Sequence, residues 1–548
     1  MKHTPRTALA VSAAAMLALA ACAPSSGGGG AAAASGEPVR DGLFTIATNG
    51  QEFDCIAPAL NSSLNGALAA RAFTDSPVWQ DPESGEIESW LVEDWEISPD
   101  GKTYTFTLRD GVTFTDGSAW DAAAFKANLD WIVQPETKSP MAASYIAPYE
   151  GSTVVDDRTL EVHLSTPYSA FLRVLAQGFF GVISPKQLAE DPGSVCTDPI
   201  GTGPFSIVEW TKGQSVTYTR NDDYDWGPPG SHQGPAYLKD YTVLFIAEDA
   251  TRFSALQSGQ VDAIDWVPAQ NLETAKSDPR LDVLQVTTPG HPFAWYLNAS
   301  RAPFDDVRVR QALLHGIDRQ GIVDSVLFGQ YEASKGFLTS STYQYSENPV
   351  DYDVDEANRL LDEAGWTGRD GDGYRTKDGE RLTAVFPMSN TIAYRVQIAE
   401  QVQAAAKRDL GLEITIEYPA AQELSDRSRN GDYDISNGIW GTNTPDILYL
   451  KYSTDGITTP ERIGLNTSYL SDATFDDLVQ RARETTDTAE QADLYAQAQQ
   501  RLVELAPAVP LFDDQRVVAY DKQTVHGLRL DVAYPAVLPH DIWTVGGE

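Results

Sequence analysis

The spacing of apolar and polar residues predicts several β-strands in the first third of the chain. Residues 43–47 form a short apolar run that ends in a Thr-Asn-Gly turn. In residues 102–108, apolar side chains alternate with threonines, which is typical of a half-buried strand. Residues 154–164 place two turn-forming aspartates between two apolar segments, which indicates a hairpin.

Helical periodicity alternates with these strands. Asp121 stands before an apolar stripe at Phe125, Leu129 and Ile132, as a helix cap does. Asp318 is placed to cap a later helix, and residues 352–366 have the pattern of an amphipathic helix. Because strands and helices mix throughout, we predict an α/β fold.

Length and charge narrow the class of protein. A chain of 548 residues that is 42% hydrophobic is too long for one compact core, so we expect two or three packed lobes. Lys and Arg total 40 against 78 Asp and Glu, which gives a formal net charge of −38. An acidic surface repels phosphate groups, so we expect no nucleic-acid partner.

The amino terminus has the features of a secretory signal peptide. Basic residues among the first six precede an apolar run, 8–21, that is too short to span a bilayer. We therefore predict a signal peptide over residues 1–21.

The end of this segment, Leu19-Ala20-Ala21-Cys22, resembles the lipobox of bacterial lipoproteins, in which the cysteine is acylated. The alternative is an ordinary secreted protein in which Cys22 is incidental. Residues 22–40, rich in Gly, Ser and Ala, are then the acylated cysteine and a flexible tether. We expect an extracytoplasmic protein anchored to the cell membrane by lipid.

Two cysteines remain beyond the tether, Cys55 and Cys196. A disulfide is permitted outside the cytoplasm, so these residues are either bridged or two separately buried thiols.

Motifs for nucleotide, metal or hydrolytic chemistry are missing from the sequence. We find no phosphate loop, no G-x-S-x-G elbow and no HExxH motif, and the seven histidines are scattered. We therefore predict no catalytic residue, no cofactor and no metal. A carboxylate pair suited to hydrolysis stays an alternative, because acidic residues are abundant.

Five ordered blocks resemble family 5 of the bacterial extracellular solute-binding proteins, the peptide-, nickel- and opine-type receptors of ABC importers. The blocks lie at residues 91–114 (LVEDWEISPDGKTYTFTLRDGVTF), 200–205 (IGTGPF), 252–262 (RFSALQSGQVD), 303–319 (PFDDVRVRQALLHGIDR) and 506–512. Together they cover essentially the whole mature chain.

The resemblance implies a two-lobed periplasmic-binding-protein fold of the large three-domain type, with a hinge between the lobes. Domain I is expected to be discontinuous (41–68, 197–287 and 511–548), domain II to span 69–196, and domain III to span 288–510. A ligand is enclosed when the hinge closes, and the ABC permease in the membrane then receives it. We expect a monomer.

The same resemblance points to ligand-binding residues near Trp440. In peptide-binding members, a tryptophan is followed three residues later by an aspartate that pairs with the peptide α-ammonium. Asn443 occupies that position here and has no charge, although Asp446 could replace it. The complete set of candidate ligand-binding residues is Asn49, Gly50, Arg395, Trp440, Thr442, Asn443 and Asp446.

These observations together predict a substrate-binding lipoprotein of an ABC importer that captures a polar organic solute, with an oligopeptide-like ligand favoured. Two alternatives stay open. One is a secreted hydrolase with an unrecognised carboxylate pair, and the other is a sensory solute receptor with the same fold.

Overall fold

The computed structural model describes residues 37–50, 53–61, 63–459 and 464–545. The predicted signal peptide, Cys22 and most of the tether lie outside these residues. Among the described residues, no helix combines the length and apolar character needed to cross a bilayer.

The chain forms strands along its whole described length. They are Gly42–Thr48, Val78–Gln80, Ile87–Ser89, Val92–Ile97, Thr103–Leu108, Tyr149–Asp156, Thr159–Leu164, Phe205–Thr211, Ser215–Arg220, Leu238–Phe245, Ala263–Asp265, Leu281–Thr287, Gly290–Leu297, Gly368–Arg369, Arg375–Lys377, Glu380–Arg381, Thr383–Pro387, Glu413–Glu417, Ile435–Gly441, Ala508–Phe512, Gln515–Asp521, Val525–His526, Arg529–Asp531, Ala536–Leu538 and Trp543–Thr544.

Helices lie between these strands. The α-helices are Leu64–Ala70, Ala122–Val133, Ala142–Tyr145, Phe171–Leu175, Pro185–Glu190, Asp249–Gln257, Ala269–Ser277, Val307–Gly316, Arg319–Val326, Val354–Glu363, Ala393–Ala405, Ala421–Asn430, Ile447–Tyr452, Ala473–Glu484 and Thr488–Leu505. A π-helical turn, Ala406–Leu410, extends one of them, and four short 3₁₀ helices are Pro58–Leu60, Gly178–Phe180, Ser194–Cys196 and Thr454–Gly456.

The predicted local elements are present. The 43–47 run lies in the strand Gly42–Thr48, and the 154–164 pattern forms a hairpin of two antiparallel strands. The side chain of Asp121 accepts a hydrogen bond from Ala124 N at 2.8 Å, and that of Asp318 accepts one from Gly321 N at 2.9 Å. Both aspartates are therefore helix caps, as the sequence pattern predicted.

Three sheets organise the chain. A mixed seven-stranded sheet joins the first strand to strands from residues 205–287 and to the strand Gln515–Asp521. An antiparallel four-stranded sheet is built from residues 92–164. A three-stranded antiparallel sheet has the order Ile435–Gly441, Gly290–Leu297 and Ala508–Phe512.

We call residues 77–182 the four-strand region and residues 288–512 the three-strand region. The central strand of the three-strand region is buried on both faces: Phe293 and Trp295 enter one hydrophobic cluster, and Ala294 and Tyr296 enter another. Successive side chains of a strand point to opposite faces, so one strand supports both clusters. The face that carries Tyr296 also contains the candidate site.

Cys55 and Cys196 form a disulfide across 141 positions of sequence, which decides between the two alternatives left by the sequence. By their contacts, residues Pro38–Glu548 make up one unit. The division into three domains with the boundaries given above stays a prediction.

Candidate functional site between the two regions

The candidate site begins where the strand Ile435–Gly441 ends. This strand pairs antiparallel with Gly290–Leu297, with His291 opposite Trp440 and Gly290 opposite Gly441. Gly290 has a φ of 125°, and a Cβ there would lie 2.2 Å from the Trp440 carbonyl oxygen, so only glycine fits. This close pairing directs the following loop, residues 442–446, toward the four-strand region.

Asn443 is buried and fully hydrogen-bonded to the four-strand region. Its Nδ2 donates to Gln80 Oε1 and to the Arg173 carbonyl oxygen, both at 2.7 Å. Its Oδ1 accepts from Gln177 Nε2 at 2.8 Å, and the same Nε2 lies 3.1 Å from Thr442 Oγ1. Because two of these contacts require a donor, a carboxylate at residue 443 would lose them.

Asp446 is also buried and already has a cationic partner. Its Oδ1 lies 2.7 Å from Arg483 Nε, out of line for a hydrogen bond, so the contact is an ion pair. Its Oδ2 accepts a hydrogen bond from Tyr168 of the four-strand region at 3.0 Å. Burial lowers the pKa of Arg483, but the charge of Asp446 and the neighbouring tyrosines together more than offset this, and the pKa ends above its usual value.

Trp440 lies at the contact between the two regions. Its indole Nε1 donates to the hydroxyl of Tyr145 at 2.7 Å, and that hydroxyl lies 3.3 Å from the Gly441 carbonyl oxygen. Burial raises the pKa of Tyr145, so the hydroxyl keeps its proton and donates it to the carbonyl. One edge of the indole is thereby fixed, while the side chain stays only half-buried.

Arg395 lies on the helix Ala393–Ala405, in the three-strand region. Its guanidinium carbon is 5.1 Å from the centre of the Phe293 ring, and its Nε is 3.4 Å from the Tyr394 hydroxyl. Among the described residues it makes no ion pair, although its charge acts on the buried Asp514. Burial raises the pKa of Asp514 to about 6, and Arg395 opposes that rise.

Asn49 and Gly50 follow the first strand of the seven-stranded sheet. Asn49 Oδ1 accepts a hydrogen bond from Asn65 Nδ2 at 2.7 Å. A Cβ at Gly50 would lie 2.4 Å from the Cβ of Ala247, so close packing alone accounts for the glycine. The structure thus brings Trp440, Thr442, Asn443 and Asp446 together in one loop and strand end, and places the other candidates on separate elements.

Lys451, on the helix Ile447–Tyr452, is not among the site residues predicted from the sequence. This lysine is 6% exposed and lies over the ring of Tyr296, with Nζ 4.4 Å from the ring centre and 5.5 Å from that of Trp440. The sequence contained a signal for the burial of Lys451, because this residue is four positions after Ile447 and three after Leu448, both of which are buried. Those spacings place it on the buried face of its helix.

Among the described residues, His232, His540 and Asp541 are a group whose ligand atoms are close enough to hold a metal ion. Asp541 already has Arg529 as an ion-pair partner and accepts from the Nδ1 side of His232 at 2.6 Å. The carboxylate charge is therefore balanced within the protein, and we assign no metal to this group.

Comparison with known proteins decides the family. The model described as Bacterial extracellular solute-binding proteins, family 5 Middle, matches residues 86–457. The chain belongs to this family.

Individual relatives agree with the family assignment. The chain is similar to a probable D,D-dipeptide-binding periplasmic protein of Escherichia coli K12, with 27% identity over 81% of this chain and 82% of the relative. It is 28% identical to a glutathione-binding protein of Salmonella typhimurium, over 86% of this chain and 89% of the relative. These relatives are binding proteins, so the family 5 chain is an extracytoplasmic solute-binding protein of the ABC-importer type and not an enzyme.

Solved structures establish the fold. A periplasmic binding protein of Helicobacter pylori in complex with the peptide STSA superposes with a TM-score of 0.77 at 23% identity, covering 93% of this chain and 99% of that one. The family 5 protein therefore has the two-lobed periplasmic-binding-protein fold that the resemblance implied.

Proposed function

We propose that this family 5 protein is a lipid-anchored receptor that captures a polar organic solute of oligopeptide-like chemistry and delivers it to an ABC permease. The anchor is Cys22, and the receptor acts as a monomer. The solute is enclosed between the lobes and leaves unaltered.

The polar contact between the 440–446 loop and the four-strand region carries this proposal. Five of its hydrogen bonds join side chains of the two regions, and on the four-strand side they involve Gln80, Tyr145, Tyr168 and Gln177. Net contributions of hydrogen bonds are about 1 kcal/mol each, so a contact of this kind can form and break on hinge motion. A solute that contacts both regions binds the closed form more tightly than the open form. The difference between the two binding free energies sets how far the solute shifts the protein toward closure.

Because residue 443 is not acidic, it affects which chemical groups of a solute the site can bind. Asn443 donates to the four-strand region, and Asp446 is paired with Arg483, so neither supplies a free carboxylate for a peptide ammonium. We propose that Thr442, Asn443 and Asp446 act chiefly in closure. Trp440 and Arg395 then serve as solute contacts, with Asn49 and Gly50 on the seven-stranded sheet.

Binding is tested on the full mature chain with glutathione, D-Ala-D-Ala, the tetrapeptide STSA and a broad metabolite panel. A solute that binds raises the melting temperature, because a ligand concentration of 100 times Kd stabilises the folded state by about 2.7 kcal/mol. It also reduces the radius of gyration measured by small-angle scattering. A panel with no stabilising compound, or a compound recovered with a broken covalent bond, contradicts the proposal.

A matched pair of glutamine variants tests the closure contact. Gln177→Ala removes the hydrogen bonds to Thr442 and Asn443 and is expected to weaken binding about 10-fold. Gln233→Ala, at an exposed position, is expected to change nothing. Equal affinities of the two variants would show that this contact does not form part of closure.

The anchor is tested in cells. Cys22→Ser is expected to abolish labelling by an alkyne fatty acid and to release the protein from the membrane fraction. Labelling that persists in this variant contradicts acylation of Cys22, and a solution mass of twice the chain contradicts the monomer.

A further inference from the structure

Lys451 differs from every other buried cation among the described residues. Five of the others, Arg71, Arg252, Arg375, Arg516 and the less buried Arg483, pair with a carboxylate. Arg173 and Arg310 donate to backbone carbonyl oxygens instead. Within the described chain, Lys451 has neither an acidic partner nor a hydrogen-bond acceptor, although it is only 6% exposed.

The neighbours of Lys451 are aromatic or neutral. Tyr296 and Trp440 present their rings to the ammonium. His291, the titratable group that feels its charge, has Nε2 2.6 Å from the Tyr452 hydroxyl and Nδ1 2.8 Å from the Pro292 carbonyl oxygen. Burial and, to a smaller extent, the charge of Lys451 lower the pKa of His291 to about 3, so this imidazole is neutral at physiological pH.

The ammonium nevertheless stays largely charged. Burial lowers the pKa of Lys451 from 10.5 to about 8, which leaves roughly nine in ten molecules protonated at pH 7. A buried charge without a counter-ion is costly, and contact with ring faces offsets only part of that cost. The chain has 78 acidic residues and a formal net charge of −38. Nevertheless, no carboxylate of the described residues forms an ion pair with this lysine.

The position of this lysine connects it to closure. Trp440, whose ring it contacts, donates a hydrogen bond to Tyr145 of the four-strand region. An anion that binds Lys451 would therefore lie beside a contact made only when the two regions meet. A solute whose anion binds Lys451 and which also contacts the four-strand region gains more from the closed form than from the open one, which is the condition for driving closure.

We propose that Lys451 is a specificity-determining residue that binds a carboxylate of the solute, with Trp440 as the adjoining wall. This inference rests on the proposed function and narrows it: the transported solute carries a carboxylate, and neutral or purely cationic solutes are excluded.

The test compares acids with their uncharged counterparts. Free-acid and C-terminally amidated STSA and D-Ala-D-Ala, and glutathione and its diethyl ester, are titrated against the full mature chain, together with a metabolite panel that pairs each acid with its amide. Wild type is compared with Lys451→Met, which keeps the side-chain length without the charge. Lys335→Met, at a 54% exposed lysine that pairs with Glu347, is the matched control.

Losing a charge-assisted hydrogen bond corresponds to about 10- to 100-fold in affinity. We expect wild type to prefer acids over amides by that factor, Lys451→Met to lose the preference, and Lys335→Met to keep it. We also expect Lys451→Met to melt no lower than wild type without ligand, because it removes a buried charge that has no acidic partner among the described residues. A loss of folded protein in this variant would assign Lys451 a structural role and overturn the inference.

The remaining outcomes separate the two proposals. Stabilising compounds that are neutral or cationic, or an acid that binds Lys451→Met as tightly as wild type, overturn the inference but leave the receptor function intact. A panel in which no compound binds overturns both.

Discussion

The ion pair between Asp446 and Arg483 leads to the sharpest prediction about the site. Asp446→Asn keeps the shape of the side chain and an acceptor for Tyr168, but it leaves the guanidinium of Arg483 without a counter-ion. If Asp446 were a carboxylate held ready for a solute, its neutralisation would leave the ligand-free protein as stable as before, or more stable.

The expected loss follows from burial. The side chain of Asp446 is 2% exposed and that of Arg483 is 13% exposed. Breaking a buried pair by removing one partner costs about 3–5 kcal/mol, and the partial exposure of Arg483 places this case near 3 kcal/mol. That is roughly a 100-fold change in the ratio of folded to unfolded molecules. Cation–π contact with Tyr449, 3.8 Å from the guanidinium carbon, persists in the variant.

The assay is urea unfolding of ligand-free protein at pH 7, followed by tryptophan fluorescence, for wild type, Asp446→Asn, Arg483→Met and the double variant. With a slope of about 3 kcal/mol per M, Asp446→Asn lowers the midpoint by about 1 M. The double variant replaces the pair by uncharged groups and is expected to recover about 2 kcal/mol of the summed losses. Additive losses, or an unchanged midpoint in Asp446→Asn, would refute the reasoning.

Three further predictions concern other parts of the structure. Asn443→Asp places a carboxylate against Gln80 Oε1 and loses two donated hydrogen bonds, so thermal unfolding is expected to show a loss of about 3 kcal/mol with no gain in peptide affinity. The pKa of His291 is about 3 in the folded protein and about 6.5 in the unfolded chain, so as pH falls the unfolded chain binds a proton first. The free energy of unfolding is therefore expected to fall by up to about 1.4 kcal/mol per pH unit between pH 6.5 and pH 3. His291→Gln is expected to flatten that part of the stability profile. Gly203→Ala puts a Cβ 2.4 Å from the carbonyl carbon of Phe73, a backbone atom that cannot turn away, and is expected to cost about 3 kcal/mol in urea unfolding.

Each of these three predictions can be contradicted by a specific result. Stronger peptide binding by Asn443→Asp would mean that the residue faces the solute. Identical pH profiles for wild type and His291→Gln would mean that the histidine is accessible to protons in the folded state. For the glycine, Gly371→Ala is the control, since a Cβ there meets nothing within 4 Å, and equal losses in both variants would remove the steric argument.

The site shows how far sequence reasoning reached. The motif around Trp440 located the right segment, and its departure from the peptide-binding pattern at Asn443 was visible in the sequence. What the departure means was not visible. The role of Asn443 follows from the hydrogen bonds that its amide makes with Gln80, Arg173 and Gln177, which lie 266–363 residues away in sequence.

The sequence by itself determined the local elements and the family. Helix caps such as Asp121 and strand patterns such as 102–108 act over a few neighbouring residues, so they can be recognised one segment at a time. The tertiary structure decided which charges are already paired. Asp446 and Lys451 are ordinary ionisable residues in the sequence, and only the fold shows that Asp446 has a counter-ion while Lys451 has none among the residues that the structure describes. The physical reason is that burial and pairing depend on side chains brought together from distant segments, and these set the cost of a charge.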